Sequence, residues 1–115
     1  MQAQTEWVMH TEYPDLRDYP EIAIDLETKD TDLKSLGSGA VVGRGEVVGI
    51  AVAVEHGSWY FPIAHGTGPN SDREKTLEWF KDILNCPATK IFHNAMYDVC
   101  WIRKLGLNIN GLVVD

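Results

Sequence analysis

The sequence predicts one α/β domain: a mixed sheet with helices packed against it. Three observations lead there. Residues 47–54 and 59–63 are two β-rich runs joined by a four-residue link, which reads as an antiparallel hairpin. From residue 71 onward the pattern changes to helix, strand, helix, strand, an order that calls for parallel crossovers. The chain has 115 residues, 44% hydrophobic and 23% charged, enough for a single small core.

Taken in order, residues 1–20 are polar, carry the breakers Pro14 and Pro20, and read as an N-terminal extension with at most one short strand near residues 6–10. The domain proper is assigned to residues 21–115. EIAIDL, residues 21–26, is a strand candidate rich in isoleucine. The next stretch, with Gly37, Gly39, Gly43 and Gly45, reads as a loop; it lacks the GxxxxGK[ST] pattern of a phosphate-binding loop. The hairpin follows, with Glu55, His56, Gly57 and Ser58 as its turn. SDREKTLEWFKDILN is the clearest helix: Ser71 and Glu74 fit a capping box, and Leu77, Phe80, Ile83 and Leu84 share one face. Pro87 closes it. TKIFH, residues 89–93, is a short strand. NAMYDVCWIRKLG is a second helix, with Asn94 as N-cap, Gly106 as its stop, and Ala95, Val99 and Ile102 toward the sheet. GLVVD begins another strand.

The formal net charge of −7 argues against a broad basic grip on nucleic acid. It leaves room for an enzyme that approaches phosphates through bound cations. Cys86 and Cys100 form no CxxC or Cys/His array, which argues against zinc and for a reducing, cytoplasmic compartment. The first 15 residues show no apolar signal-peptide core, and the longest apolar run, residues 47–54, is too short to span a bilayer.

The chemistry lies in the carboxylates. Residues two apart on a strand point to the same side, so Asp25 and Glu27 project together at the end of the first strand. Such strand ends are where α/β sheets place ligands. Two adjacent carboxylates repel unless a proton or cation lies between them, and Mg²⁺ favours one or two carboxylates plus water and phosphate oxygens. The plain alternative is a solvated strand end. Asp98 lies beside the buried stripe of the second helix, where an unpaired charge is costly. If the strand at residues 89–93 pairs in parallel with residues 21–26, Asp98 is delivered toward Asp25 and Glu27. Its alternative is a surface pair with Arg103 or Lys104.

IAIDLET resembles the first motif of the DEDD superfamily of 3′–5′ exonucleases, and HNAMYD resembles the second. The segment VVGIAVAVEHGSWYFPIAHG is similar to the hairpin between those motifs in the proofreading domain of family A DNA polymerases, down to the Pro62-Ile63-Ala64-His65 segment. The resemblance covers residues 21–115. It implies a ribonuclease H-like mixed sheet and hydrolysis of terminal phosphodiesters with two divalent ions, Mg or Mn. Asp25 would bridge the ions, Glu27 would ligate the ion carrying the attacking water, and Asp98 would hold the other. Thr28 and Asn94 would touch the substrate strand, with helix capping the nearer role for Asn94. The implied partners are the single-stranded 3′ end of DNA, with RNA open, and a polymerase domain continuous with this one; no membrane is implied. The implied setting is the cytoplasm of a bacterial or phage-infected cell.

One departure stands out. The superfamily's third motif, a fourth carboxylate with a Tyr or His four or five residues before it, has no match; Asp115 resembles a strand-to-helix turn residue instead. The expectation is a domain truncated before its last helices. A stand-alone RNase D-like exonuclease and a catalytically inactive interaction module are the other readings. His56, His65 and His93 lack metal-ligand spacing and read as loop or strand-end residues. Trp59, Tyr60 and Phe61 read as sheet packing.

Overall fold

Alternation along residues 21–29 builds the centre of the molecule. The computed structural model describes residues 12–29, 46–66 and 68–114. Strand β1 (Glu21–Lys29) buries Ile22, Ile24 and Leu26 and leaves Ala23, Asp25 and Glu27 on the other face. The strand is therefore covered on one side, not both, and its carboxylates do not enter a core. β2 (Glu46–Val54) pairs antiparallel with β1, matching Asp25 with Ala51 and Glu27 with Gly49. The register slips between Glu27 and Thr28, which pairs with Val47, so Val48 is an extra residue on β2. A bulge of this kind re-aims the strand beyond it.

β3 (Gly57–Pro62) returns antiparallel to β2. Val54 pairs with Gly57, so the turn is only Glu55 and His56; Gly57 and Ser58, expected in the turn, belong to the strand. Helix α1 (Arg73–Asn85) is capped by Asp72, whose Oδ1 accepts the Lys75 N–H at 3.0 Å. Ser71, expected as the cap, instead donates its N–H to the Pro62 carbonyl at 2.7 Å and is buried. The buried face of α1 is Thr76, Phe80, Ile83 and Leu84, with Leu77 half-buried at its margin.

β4 (Thr89–Phe92) pairs parallel with β1, Ile24 beside Phe92. Helix α2 (Ala95–Lys104) follows, capped by Asn94. It ends in a Schellman arrangement: the Gly106 N–H reaches the Arg103 carbonyl at 2.9 Å and the Leu107 N–H the Ile102 carbonyl at 3.1 Å. Gly106 has φ +81°, a conformation that suits glycine. The short β5 (Val113–Val114) pairs parallel with β4.

The sheet order is β3-β2-β1-β4-β5, the mixed sheet the sequence predicts. Both helices cover the same face. Ile22, Ile24, Leu26, Ile50 and Val52 from the sheet meet Phe80, Ile83 and Leu84 of α1 and Trp101 and Ile102 of α2. Fully burying side chains of this size contributes about 1.5–3 kcal/mol each. The opposite face is an open groove of about 760 Å³, floored by Ala23, Ala51 and Ala53 and bordered by Asp25, Ser58 and Tyr60.

Residues 12–20 also belong to this packing. Leu16 is 1% exposed inside the core, Tyr13 stacks on Phe61 at 4.8 Å, and Trp79 Nε1 donates to the Pro14 carbonyl at 2.7 Å. The described part of the stretch read as an extension is thus laid against α1 and β3. The strand expected near residues 6–10, the glycine-rich loop at 30–45 and Asp115 lie outside the described residues.

Candidate active site

The site is assembled by register. Asp25 follows Ile24, whose parallel partner Phe92 is the last residue of β4. The chain then turns through His93 and Asn94 into α2, so the start of that helix stands beside the end of β1. His93 and Asp25 both line the open groove. Asn94 leaves extended geometry at φ −141° and accepts the Tyr97 N–H on Oδ1 at 3.4 Å. The cap is therefore its structural role.

A second tie fixes the junction. The hydroxyls of Thr28 and Tyr97 share a hydrogen bond of 2.6 Å, which holds the first turn of α2 to the strand just past Glu27. Asp98, next to Tyr97, is 3% exposed and shares the buried face with Trp101 and Ile102. That face is rotated from the expected Ala95, Val99 and Ile102, so Asp98 is within the buried stripe instead of beside it. A carboxylate in the first turn is also favoured by the helix dipole.

Glu27 has partners that the sequence did not single out. Tyr60 on β3 donates its hydroxyl to Glu27 Oε2 at 2.7 Å, across the intervening strand β2. It can do so because the residue between them is Gly49: a Cβ there would lie 1.9 Å from the Tyr60 hydroxyl. The same hydroxyl meets His65 Nε2 at 2.5 Å. Its single proton goes to Glu27, so His65 must be the donor in that second bond. His65 is held in turn by Asn70, whose Oδ1 accepts the His65 N–H at 2.8 Å and whose Nδ2 donates to the His65 carbonyl at 3.2 Å. Burial, and then the Glu27 hydrogen bond and charge, hold the Tyr60 phenol well above its ordinary range. His65 also lies 3.9 Å from Glu27 Oε1. His65 lies in the loop after β3 and Tyr60 packs its ring over Gly49 of the sheet, as expected; what those readings did not include is the hydrogen bonding of both toward Glu27. A glycine inside a strand was the available signal, since it marks a close approach.

As donors, Asp25 and Glu27 suit a hard divalent ion: two carboxylates on one strand face are the protein share that Mg²⁺ takes when phosphate and water supply the rest. Among the described residues no three His, Cys, Asp or Glu side chains gather tightly enough to hold a metal by themselves. Cys86 and Cys100 are both free. No helix among the described residues is long and apolar enough to cross a membrane.

Comparison with known proteins agrees with the motifs. A family model described as 3′–5′ exonuclease matches residues 5–115. A DNA-directed DNA polymerase of Pseudomonas phage M6 is 38% identical over 87 aligned residues, which cover 67% of this chain. The match covers only 12% of that polymerase, so the chain corresponds to a small part of its relative. With the family match spanning nearly the whole sequence, and with the Asp25–Glu27 strand end and the start of the Asn94–Asp98 helix side by side at one end of the central strands, the chain belongs to the 3′–5′ exonuclease family of DNA polymerases.

Proposed function

We propose that this chain belongs to a metal-dependent exonuclease domain that shortens DNA from its 3′ end, joined to a DNA polymerase and working in the cytoplasm of a bacterial or phage-infected cell. The observation that carries the reading is the placement of Asp25 and Glu27 together on the open face, at the edge where α2 begins. A phosphodiester arriving at this acidic edge meets like charge, so the reaction needs cations between protein and substrate. Asp25 and Glu27 would hold Mg²⁺ or Mn²⁺, two ions in this reading, and when bound such ions would lower the pKa of a water and offset charge on the attacking and leaving oxygens.

The residues of the chain have distinct tasks. Asp25 and Glu27 stand two residues apart on one face of β1, so both carboxylates project to the same side. Asp98, buried on the first turn of α2, would be the third carboxylate only when an ion draws it toward Asp25 and Glu27, with which it does not cluster among the described residues; the Thr28–Tyr97 bond keeps that turn beside the strand. Asn94 is exposed at the start of α2, where its amide nitrogen is available to a nucleotide while its oxygen caps the helix. Thr28 stands one residue beyond Glu27 and is the second substrate contact. Hydrolysis adds a water oxygen to phosphorus, breaks the bond to the 3′ oxygen of the shortened strand, and releases a nucleoside monophosphate.

The test is digestion of 5′-labelled single-stranded DNA, with an RNA of the same sequence alongside, by the protein that carries this chain. Mg²⁺, Mn²⁺ and chelator are compared in the native protein and in Asp25→Asn. A metal-dependent ladder that shortens from the 3′ end of DNA and disappears in Asp25→Asn is expected. A ladder that persists in Asp25→Asn would refute the site. Preference for RNA would move the reading to an RNase D-like enzyme, and no metal-dependent shortening in the native protein would leave an exonuclease fold without catalysis.

A further inference from the structure

We propose that Tyr60 is a positioning residue for Glu27, and that His65 and Asn70 hold Tyr60 in place. The inference rests on the reading of Glu27 as a metal-binding carboxylate. It adds to that reading a three-residue support supplied by the hairpin and the segment after it.

Four observations converge. Tyr60 donates to one oxygen of Glu27, Oε2, at 2.7 Å, which restricts rotation of the carboxylate. The direction of that proton makes His65 the donor to Tyr60, so the phenol oxygen is satisfied on both sides and has no reason to turn away. The Asn70 amide brackets the His65 backbone with two bonds, 2.8 and 3.2 Å. Gly49 leaves the space through which the ring reaches β1. A carboxylate on an exposed strand end otherwise samples several rotamers, and the Glu27 side chain is 58% exposed. Holding it in one of them removes that cost from metal binding. Outer partners of metal ligands typically change metal affinity by about 10–100-fold when removed.

The oxygens of Glu27 are then inequivalent. Oε2 is engaged by a phenol at 2.7 Å, whereas Oε1 has only the more distant His65 Nε2 at 3.9 Å and is the end that a cation would meet. Loss of the hydroxyl alone should let the carboxylate rotate without disturbing the ring that packs over Gly49. Tyr60→Phe is therefore the informative change, since it keeps the ring and deletes the donor.

The experiment measures Mn²⁺ binding to the chain by calorimetry and by the electron paramagnetic resonance signal of free Mn²⁺. The set is native chain, Tyr60→Phe, His65→Ala, His65→Gln and Asp25→Asn, with a metal-free melt of each. Native chain is expected to bind Mn²⁺ and Asp25→Asn to lose it. Tyr60→Phe should weaken binding by about 10-fold, the lower end for an outer partner, and its metal-free melt should fall by the stability of the two hydrogen bonds it deletes while the chain stays folded. His65→Ala should weaken it in the same direction, and His65→Gln, which keeps a side-chain N–H donor, should recover most of the loss. A metal-free check is the ¹³Cζ resonance of Tyr60 at neutral pH, which should move in Glu27→Gln. If Tyr60→Phe binds Mn²⁺ as the native chain does while Asp25→Asn does not bind, the positioning role is overturned and the metal site stands. If Asp25→Asn binds as well as the native chain, the metal reading itself fails and the positioning role falls with it.

Discussion

Gly49 is the residue on which the edge of the sheet turns, and Gly49→Ala tests that geometry directly. A Cβ at this position would lie 1.9 Å from the Tyr60 hydroxyl, 2.5 Å from Cζ and 2.8 Å from Cε1. All three atoms belong to one rigid ring, so the overlap is relieved only when the whole ring swings off β2. It then loses its bonds to Glu27 and His65. A bond to a carboxylate contributes about 1.5–3 kcal/mol and a neutral one about 0.5–1.5 kcal/mol. With the Glu27 side chain 58% exposed, solvent screening brings the first to about 1 kcal/mol. The combined loss is about 2 kcal/mol. Replacing glycine removes unfolded-state entropy and returns about 0.5–1 kcal/mol. The net cost is about 1–1.5 kcal/mol, a fall of about 5 °C in Tm for a domain of this size.

The assay is thermal denaturation followed by circular dichroism in a double-mutant cycle with Tyr60→Ala. Once the ring is gone, alanine at position 49 meets nothing, and Gly49→Ala should become neutral or slightly stabilising. The coupling between the two positions should be about 1.5–2 kcal/mol. An equal cost of Gly49→Ala with and without the Tyr60 ring would refute the reasoning, because the ring would then not lie over β2 on its way to Glu27.

Two further changes test the packing that supports the site. Leu16→Ala should cost about 2–4 kcal/mol in urea denaturation, since Leu16 is 1% exposed within the core; a loss below about 1 kcal/mol would show that residues 12–20 do not pack on the domain. Lys90 is fully buried on β4 and donates to the carbonyls of Cys86 and Asn110, tying the end of α1 to the chain before β5. Lys90→Met keeps much of the volume but deprives both carbonyls of that donor, and should cost about 2 kcal/mol. A Lys90→Met chain as stable as the native one would mean that the aliphatic stem alone makes this tie.

Much of this architecture was legible because local rules and the tertiary structure agree. The Asp25–Glu27 pair needed only the two-residue period of a strand. Asn94 and Gly106 were readable as the two ends of α2 because a cap and a left-handed stop are local conformational demands. Asp72 displaced Ser71 as the cap of α1 for a different reason: Ser71 is drawn into a bond with Pro62, a partner nine residues away that capping rules do not consider. The rotation of the α2 face follows Trp101, whose bulk is buried at 1% exposure and brings Asp98 inward with it.

By itself the sequence determined the element order, the face on which Asp25 and Glu27 stand, and membership in an exonuclease family through two spaced motifs. These depend on residues close in the chain, where backbone periodicity and side-chain type suffice. Only the tertiary structure decided which side chains meet Glu27. Tyr60 and His65 reach it through a hairpin register, a two-residue turn and a glycine gap on the strand between. That register depends on long-range pairing, and a one-residue slip would turn Tyr60 to the opposite face.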